Sequence, residues 1–191
     1  YKKLLRFILP SIIMMVFTSI YSVVDGIFVS NFVGKSAFAS VNLIMPYLMG
    51  ISALGFMIGT GGSAFVSKTL GEGKKKLANQ YFSMLVTIAA IGGFVLSVLS
   101  FIFMRRIVMA FGAGDLIDYC TLYGRISCIS LTAFMLQNVF QSFFVAAGKP
   151  QLGLKVIVAA GCTNIVLDAL FIGVLHFGIA GAAFATMTSE F

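Results

Sequence analysis

Two aspartates lie inside runs that are otherwise apolar, Asp25 within residues 5–33 and Asp168 within residues 156–175. A charged Asp at the centre of a membrane helix costs roughly 2.5 to 3.5 kcal/mol even on the lenient insertion scale, so such residues usually mark an ion or proton pathway. Spacing adds partners. Asn164 precedes Asp168 by four residues and Tyr21 precedes Asp25 by four, which puts each pair on one helix face. Gln137 and Gln141 repeat the interval, and Tyr123 and Thr186 contribute hydroxyls. Oxygen-only ligand sets suit hard cations, whereas two neighbouring carboxylates in apolar surroundings can share a proton. Asn164, Gln137 and Gln141 also suit plain interhelical hydrogen bonding, worth about 0.6 kcal/mol each in membranes.

The elements that must position these groups are set by composition. The chain of 191 residues is 60% hydrophobic and 10% charged, with a mean hydropathy of +1.05. Soluble domains carry about a quarter charged residues, so this is a polytopic membrane protein. A spanning helix needs about 20 mostly apolar residues, and five such runs occur, at 5–33, 41–66, 81–103, 119–147 and 156–175. A sixth opens near Ile179 and reaches only Phe191. The expectation is an all-α, six-helix transmembrane lobe with its sixth helix cut short, a fragment of a longer protein. The runs are continuous, which disfavours the alternating strands of a membrane β-barrel. Lys2-Lys3-Leu4-Leu5-Arg6 superficially resembles the start of a signal peptide, but the apolar run is too long and lacks a small-residue cleavage site.

Depth tests whether the polar residues meet. At about 1.5 Å per residue, Asp25 lies about 12 Å from the helix end near Val33, Asp168 about 10 Å from Leu175, and Thr186 about 10 Å from Ile179 on the returning helix. Three helices thus bring polar groups to one level. With the N-terminus in the cytoplasm, nine of the thirteen Lys and Arg residues fall on that side, from Lys2 to Lys155, against Lys35, Arg105, Arg106 and Arg125 opposite. That asymmetry predicts an N-terminus-inside protein of the cell membrane. The net charge of +7 then reads as topology and contact with anionic lipid headgroups, and nucleic-acid binding is not expected.

Short connections predict antiparallel neighbouring helices. Gly71-Glu72-Gly73-Lys74-Lys75-Lys76 and Gly148-Lys149-Pro150 read as loops, with Gly148 suited to a left-handed cap and Pro150 unable to continue a helix. A short interfacial helix fits 70–77. In the second helix, Gly55 and Gly59 let backbones approach closely. Pro10 falls near the first turn of the first helix, and Pro46, about five residues into the second, is a kink site. Cys120, Cys128 and Cys162 lack CxxC spacing and read as lipid- or core-facing thiols. His176, the one histidine, reads as interfacial. Neither His-Glu-x-x-His nor Gly-x-Ser-x-Gly occurs, so an enzyme is not expected.

Taken in order, several segments resemble one family. They are Val24-Asp25-Gly26-Ile27-Phe28-Val29, Gly59-Thr60-Gly61-Gly62-Ser63-Ala64, Gly71-Glu72-Gly73, Ala147-Gly148-Lys149-Pro150, Asn164-Ile165-Val166-Leu167-Asp168 and Gly178-Ile179-Ala180-Gly181-Ala182-Ala183-Phe184-Ala185-Thr186. Together they resemble the N-terminal six-helix lobe of the multidrug and toxic compound extrusion (MATE) transporters. The resemblance implies an antiporter that expels organic cations or amphipathic drugs in exchange for Na⁺ or H⁺, with no cofactor beyond that ion. It also implies an ion site of Asp25, Asn164, Asp168 and Thr186, joined by the Ala182 carbonyl. Asp25 and Asp168 would be the Na⁺ ligands if Na⁺ is the ion. Tyr21, Tyr123, Gln137 and Gln141 would line the cavity, with Gln141 replacing an Asn, and Pro10 would match a proline at which relatives bend. The partner implied is a second six-helix lobe of the same protein, facing this one across a central cavity that opens to each side in turn. The alternative is a flippase for lipid-linked saccharides, against which the acidic character of the buried charges counts.

Overall fold

The computed structural model describes residues 2–190, and their side chains from residue 8 onward. In lipid a backbone N–H or C=O finds no water, and a helix is the element that satisfies these groups within its own segment. The long apolar runs accordingly form six α-helices: α1 (Lys2–Phe28), α2 (Lys35–Gly71), α3 (Lys75–Ala110), α4 (Ile117–Ala146), α5 (Pro150–Asp168) and α6 (Gly178–Glu190). The first and fifth continue into π-helical turns, Val29–Val33 and Ala169–Val174, and a single 3-10 turn, Gly114–Leu116, leads into α4. No strand occurs among the described residues. Five of the helical spans are long and apolar enough to cross a membrane. Large apolar side chains such as Met57, Ile91, Phe94 and Val166 are exposed, as lipid contact requires. The chain is a multi-pass, all-α membrane protein.

The second and third helices run past the sequence expectation at both ends. The second helix was expected at 41–66 and spans Lys35–Gly71, and the third was expected at 81–103 and spans Lys75–Ala110. Hydropathy marks only the lipid-immersed part, whereas polar residues such as Ser36, Lys68, Lys75, Arg105 and Arg106 continue the same hydrogen-bond ladder. The interfacial helix expected at 70–77 does not form, because α2 and α3 leave only a three-residue turn between them. Pro10 is not near the first turn. It lies well inside α1, which starts at Lys2, and both α1 and α2 run through their prolines as single helices.

Three connections close with one device. After α4, Lys149 N donates to Phe144 O at 2.9 Å and Gly148 N to Val145 O at 3.0 Å, with Gly148 at φ 72°. That pattern is the Schellman cap, which satisfies carbonyls left over at a helix end and needs a left-handed residue. Gly73 after α2 and Gly112 after α3 repeat it. His176, exposed at φ 51°, is the one non-glycine with positive φ among the described residues.

Packing is organised on α4, which touches α2, α3 and α6, while α1 packs on α5. A large buried cluster, including Val29, Ile44, Met104, Tyr123, Ile172 and Ala183, fills the end of the lobe around Gly34. A smaller one, including Val66, Ala89, Val139 and Phe143, fills the end around Gly73. Glycines set how closely helices approach, and their neighbours decide what a side chain would cost. A Cβ on Gly124 would fall 2.6 Å from Met104 Sδ, the movable end of a flexible side chain. Gly124→Ala is therefore expected to cost at most about 1 kcal/mol, read as a small drop in melting temperature of the purified full-length protein.

Candidate functional site

The site is built where α1, α5 and α6 converge against α4. The π-helical turns give it a floor: Val29 and Ile172 are nearly inaccessible, and Gly181 of α6 presses so close to the Phe171 carbonyl that a Cβ would stand 3.1 Å from it. On the other side, Gly161 of α5 leaves room for Phe17 and Tyr21 of α1. These close approaches hold the three polar helices in register.

Within this frame Asp168 is fully buried and Asn164 is 3% exposed, while Asp25 and Thr186 are half-buried. The Asp25 and Asp168 side chains are neighbours across α1 and α5. Asn164 Nδ2 donates to Thr186 Oγ1 at 3.5 Å. Six buried side-chain oxygens lack a hydrogen-bond partner among the described residues, and four of them belong to this group: Asp25 Oδ1, Asn164 Oδ1 and both oxygens of Asp168. Elsewhere only Thr121 Oγ1 and Ser127 Oγ share that condition among the described residues, and other buried polar groups are paired. Ser40 Oγ donates to Ser36 O at 2.7 Å, Tyr47 Oη and Ser100 Oγ lie 2.8 Å apart, and the Ser97 hydroxyl donates to the Cys128 carbonyl. Unpaired buried acceptors cost about 1 to 3 kcal/mol each, more when charged. Four acceptor oxygens from two helices, α1 and α5, without a donor among the described residues form a site whose chemistry fits a proton or a hard cation.

A cavity of about 610 Å³ adjoins the group. Asp25, Asn164, Thr186, Tyr21, Tyr123, Gln137 and Gln141, all selected from sequence, line it together. Asp168 and Ala182 do not. Asp168 is sealed away with no exposure, and Ala182 is packed into the larger apolar cluster one turn from Thr186. Gln141 also ties α4 to α1, its Nε2 lying 3.8 Å from Met14 Sδ. Sequence reasoning missed Glu190, Ser127, Ser130 and Asn138, which share the lining. The signal for Glu190 was present, since it follows Thr186 by four residues on the same face of α6. The three cysteines are free thiols, two of them buried.

Comparison with known proteins matches this geometry to a family. The family model described as MatE covers residues 10–170. The multidrug export protein MepA of Staphylococcus haemolyticus is 26% identical over the whole chain, and that of Staphylococcus aureus is 24% identical. In each case the chain spans 42% of the relative's length. Among solved structures, a multidrug resistance MATE family transporter of the MOP superfamily in an outward-facing conformation superposes with a TM-score of 0.91 and 28% identity, over 99% of this chain and 42% of its own. A MOP superfamily transporter from Pyrococcus furiosus superposes with the same TM-score, identity and coverage. With a matching family model over most of its length and the same arrangement of six helices, the chain belongs to the MatE family of membrane transporters.

Proposed function

We propose that the lobe is one half of a cation-coupled exporter of organic cations and amphipathic drugs. Asp25, Asn164, Asp168 and Thr186 bind the inward-moving Na⁺ or H⁺, with the Ala182 carbonyl as a further oxygen donor. Tyr21, Tyr123, Gln137 and Gln141 face the substrate. The observation that carries this reading is the cluster of four buried acceptor oxygens, from α1 and α5, that no donor reaches. Coupling needs a site whose occupation changes the balance between conformations, and reciprocity then requires that ion and substrate disfavour each other. The relatives are more than twice the length of the chain, which supports a second lobe across the substrate path and alternating access between them. Nine basic residues on the side of the N-terminus support a cytoplasmic N-terminus in the cell membrane.

The test is efflux of a fluorescent organic cation from proteoliposomes containing the full-length protein, with Na⁺ and pH gradients imposed separately. One gradient should drive efflux, and substrate added in excess should displace the driving ion. Efflux indifferent to both gradients would remove the coupling. The flippase alternative draws no support from the relatives, which are multidrug exporters and MATE or MOP transporters. Among the described residues the cavity lining also carries carboxylates and no Lys or Arg, where a pyrophosphate would need cations.

A further inference from the structure

One carboxylate of the cavity stands apart from the ion group. Glu190 is one helical turn past Thr186, about 6 Å farther along α6, and its side chain is half-buried. It lines both the 610 Å³ cavity and an adjoining one of about 730 Å³ bounded by α4, α5 and α6. Among the described residues no Lys, Arg or His lines either cavity, and the one ion pair is Lys74–Glu72, far from here. The Ser130 hydroxyl lines the same cavity beside the Glu190 carboxyl. It bonds the Ser127 carbonyl at 3.2 Å and can turn its proton to either acceptor.

A carboxylate in a mostly apolar hollow is costly unless something positive meets it. The remaining lining suits an apolar body around that charge. Tyr21, Tyr123 and Phe134 present rings, and Met14 and Met15 present flexible thioethers. Aromatic faces attract cations, and methionine adapts to varied shapes. The volume also falls in the range of about 300 to 1,000 Å³ that holds drug-sized molecules.

We infer that Glu190 receives the positive centre of the exported compound, while Asp25 and Asp168 hold the coupling ion. This rests on the exporter reading and narrows its substrate to a lipophilic organic cation that places its charge against α6. The two carboxylate positions divide the work. Asp168 is sealed behind Asp25 and suits a small ion, whereas Glu190 opens on both hollows.

Binding of tetraphenylphosphonium to the purified full-length protein, followed by equilibrium dialysis, tests the assignment. Neutral triphenylphosphine oxide serves as the uncharged probe of similar shape. Glu190→Gln should weaken the cation by about tenfold or more, the usual worth of a hydrogen-bonded charge, and leave the neutral probe unchanged. Ser130→Ala should weaken the cation by about threefold, and supplies the reading if Glu190→Gln does not purify as a monodisperse protein. Equal cation affinity in wild type and Glu190→Gln, or equal loss of both probes, would overturn the inference while the exporter reading stands. Should Glu190→Gln yield no folded protein, unchanged cation affinity in Ser130→Ala overturns it instead. A wild-type protein that transports no organic cation would overturn the exporter reading itself.

Discussion

Asp168→Asn in the full-length protein is expected to lower gradient-driven efflux by about 100-fold while leaving the protein folded, and Asp25→Asn should do nearly the same. The two carboxyls are neighbours, and neither oxygen of Asp168 has a hydrogen-bond partner among the described residues. An amide there keeps volume and shape but removes one of the two charges that hold a cation or share a proton. Losing one member of a close, buried charge pair typically costs 2 to 5 kcal/mol, and about 3 kcal/mol corresponds to about 100-fold in affinity. Stability should move the other way. A fully buried carboxylate is expensive to hold, so Asp168→Asn should melt at the same temperature as wild type or higher. Proteoliposome efflux and thermal unfolding of the same preparation read both effects. Unchanged gradient-driven transport in both variants would sink the ion-site assignment, and lost transport with lost stability in both would reduce these residues to structural ones.

Gly59→Leu is the second large effect, and it acts on the fold. A Cβ at Gly59 would stand 2.8 Å from Ser142 Oγ, 3.0 Å from Val139 Cα and 3.1 Å from Asn138 O. At Gly55, one turn away, it would meet Met135 O at 2.8 Å and Met135 Cα at 3.0 Å. Two of the three contacts at Gly59 are backbone, so α2 and α4 must separate to admit a side chain. Close backbone approach between small residues is what drives helix association in lipid. Overpacking costs about 1 to 3 kcal/mol where side chains can yield, and this site lies at or beyond the upper end. Heating the purified full-length protein and following its monodisperse fraction by size exclusion should show a clear loss for Gly59→Leu and almost none for Gly124→Ala. Equal stability of the two would contradict the packing argument.

The meeting of Asp25, Asn164, Asp168 and Thr186 was legible because its evidence was of a kind that helix geometry preserves. The expected ends at Val33, Leu175 and Ile179 lie within one residue of the observed ends at Val33, Val174 and Gly178, so depths counted from them converge correctly on Asp25, Asp168 and Thr186. Both ends of the second and third helices, and the start of the fifth, were misjudged. Lys68, Lys75 and Lys155 interrupt hydropathy without interrupting the backbone ladder, which hydropathy does not see. Access was also not legible. The interval of four between Asn164 and Asp168 correctly shows a shared face, yet only packing shows that Asn164 meets the cavity while Asp168 is sealed from it. Glu190 escaped because α6 was read as an incomplete span and searched only as far as Thr186.

The π-helical turns that end the first and fifth helical spans have a consequence for how such a sequence can vary. Gly34 N bonds Val29 O at 3.1 Å and Leu175 N bonds Leu170 O at 2.9 Å, each across five residues instead of four. Each turn therefore accommodates one residue more than an α-turn, and one residue is roughly 100° of rotation at 3.6 per turn. The direction in which the tip of each span faces, relative to Asp25 and Asp168, is thus encoded by chain length. Apart from buried Val29 and Ile172, the kinds of residue in these turns are free to drift, while their number is not.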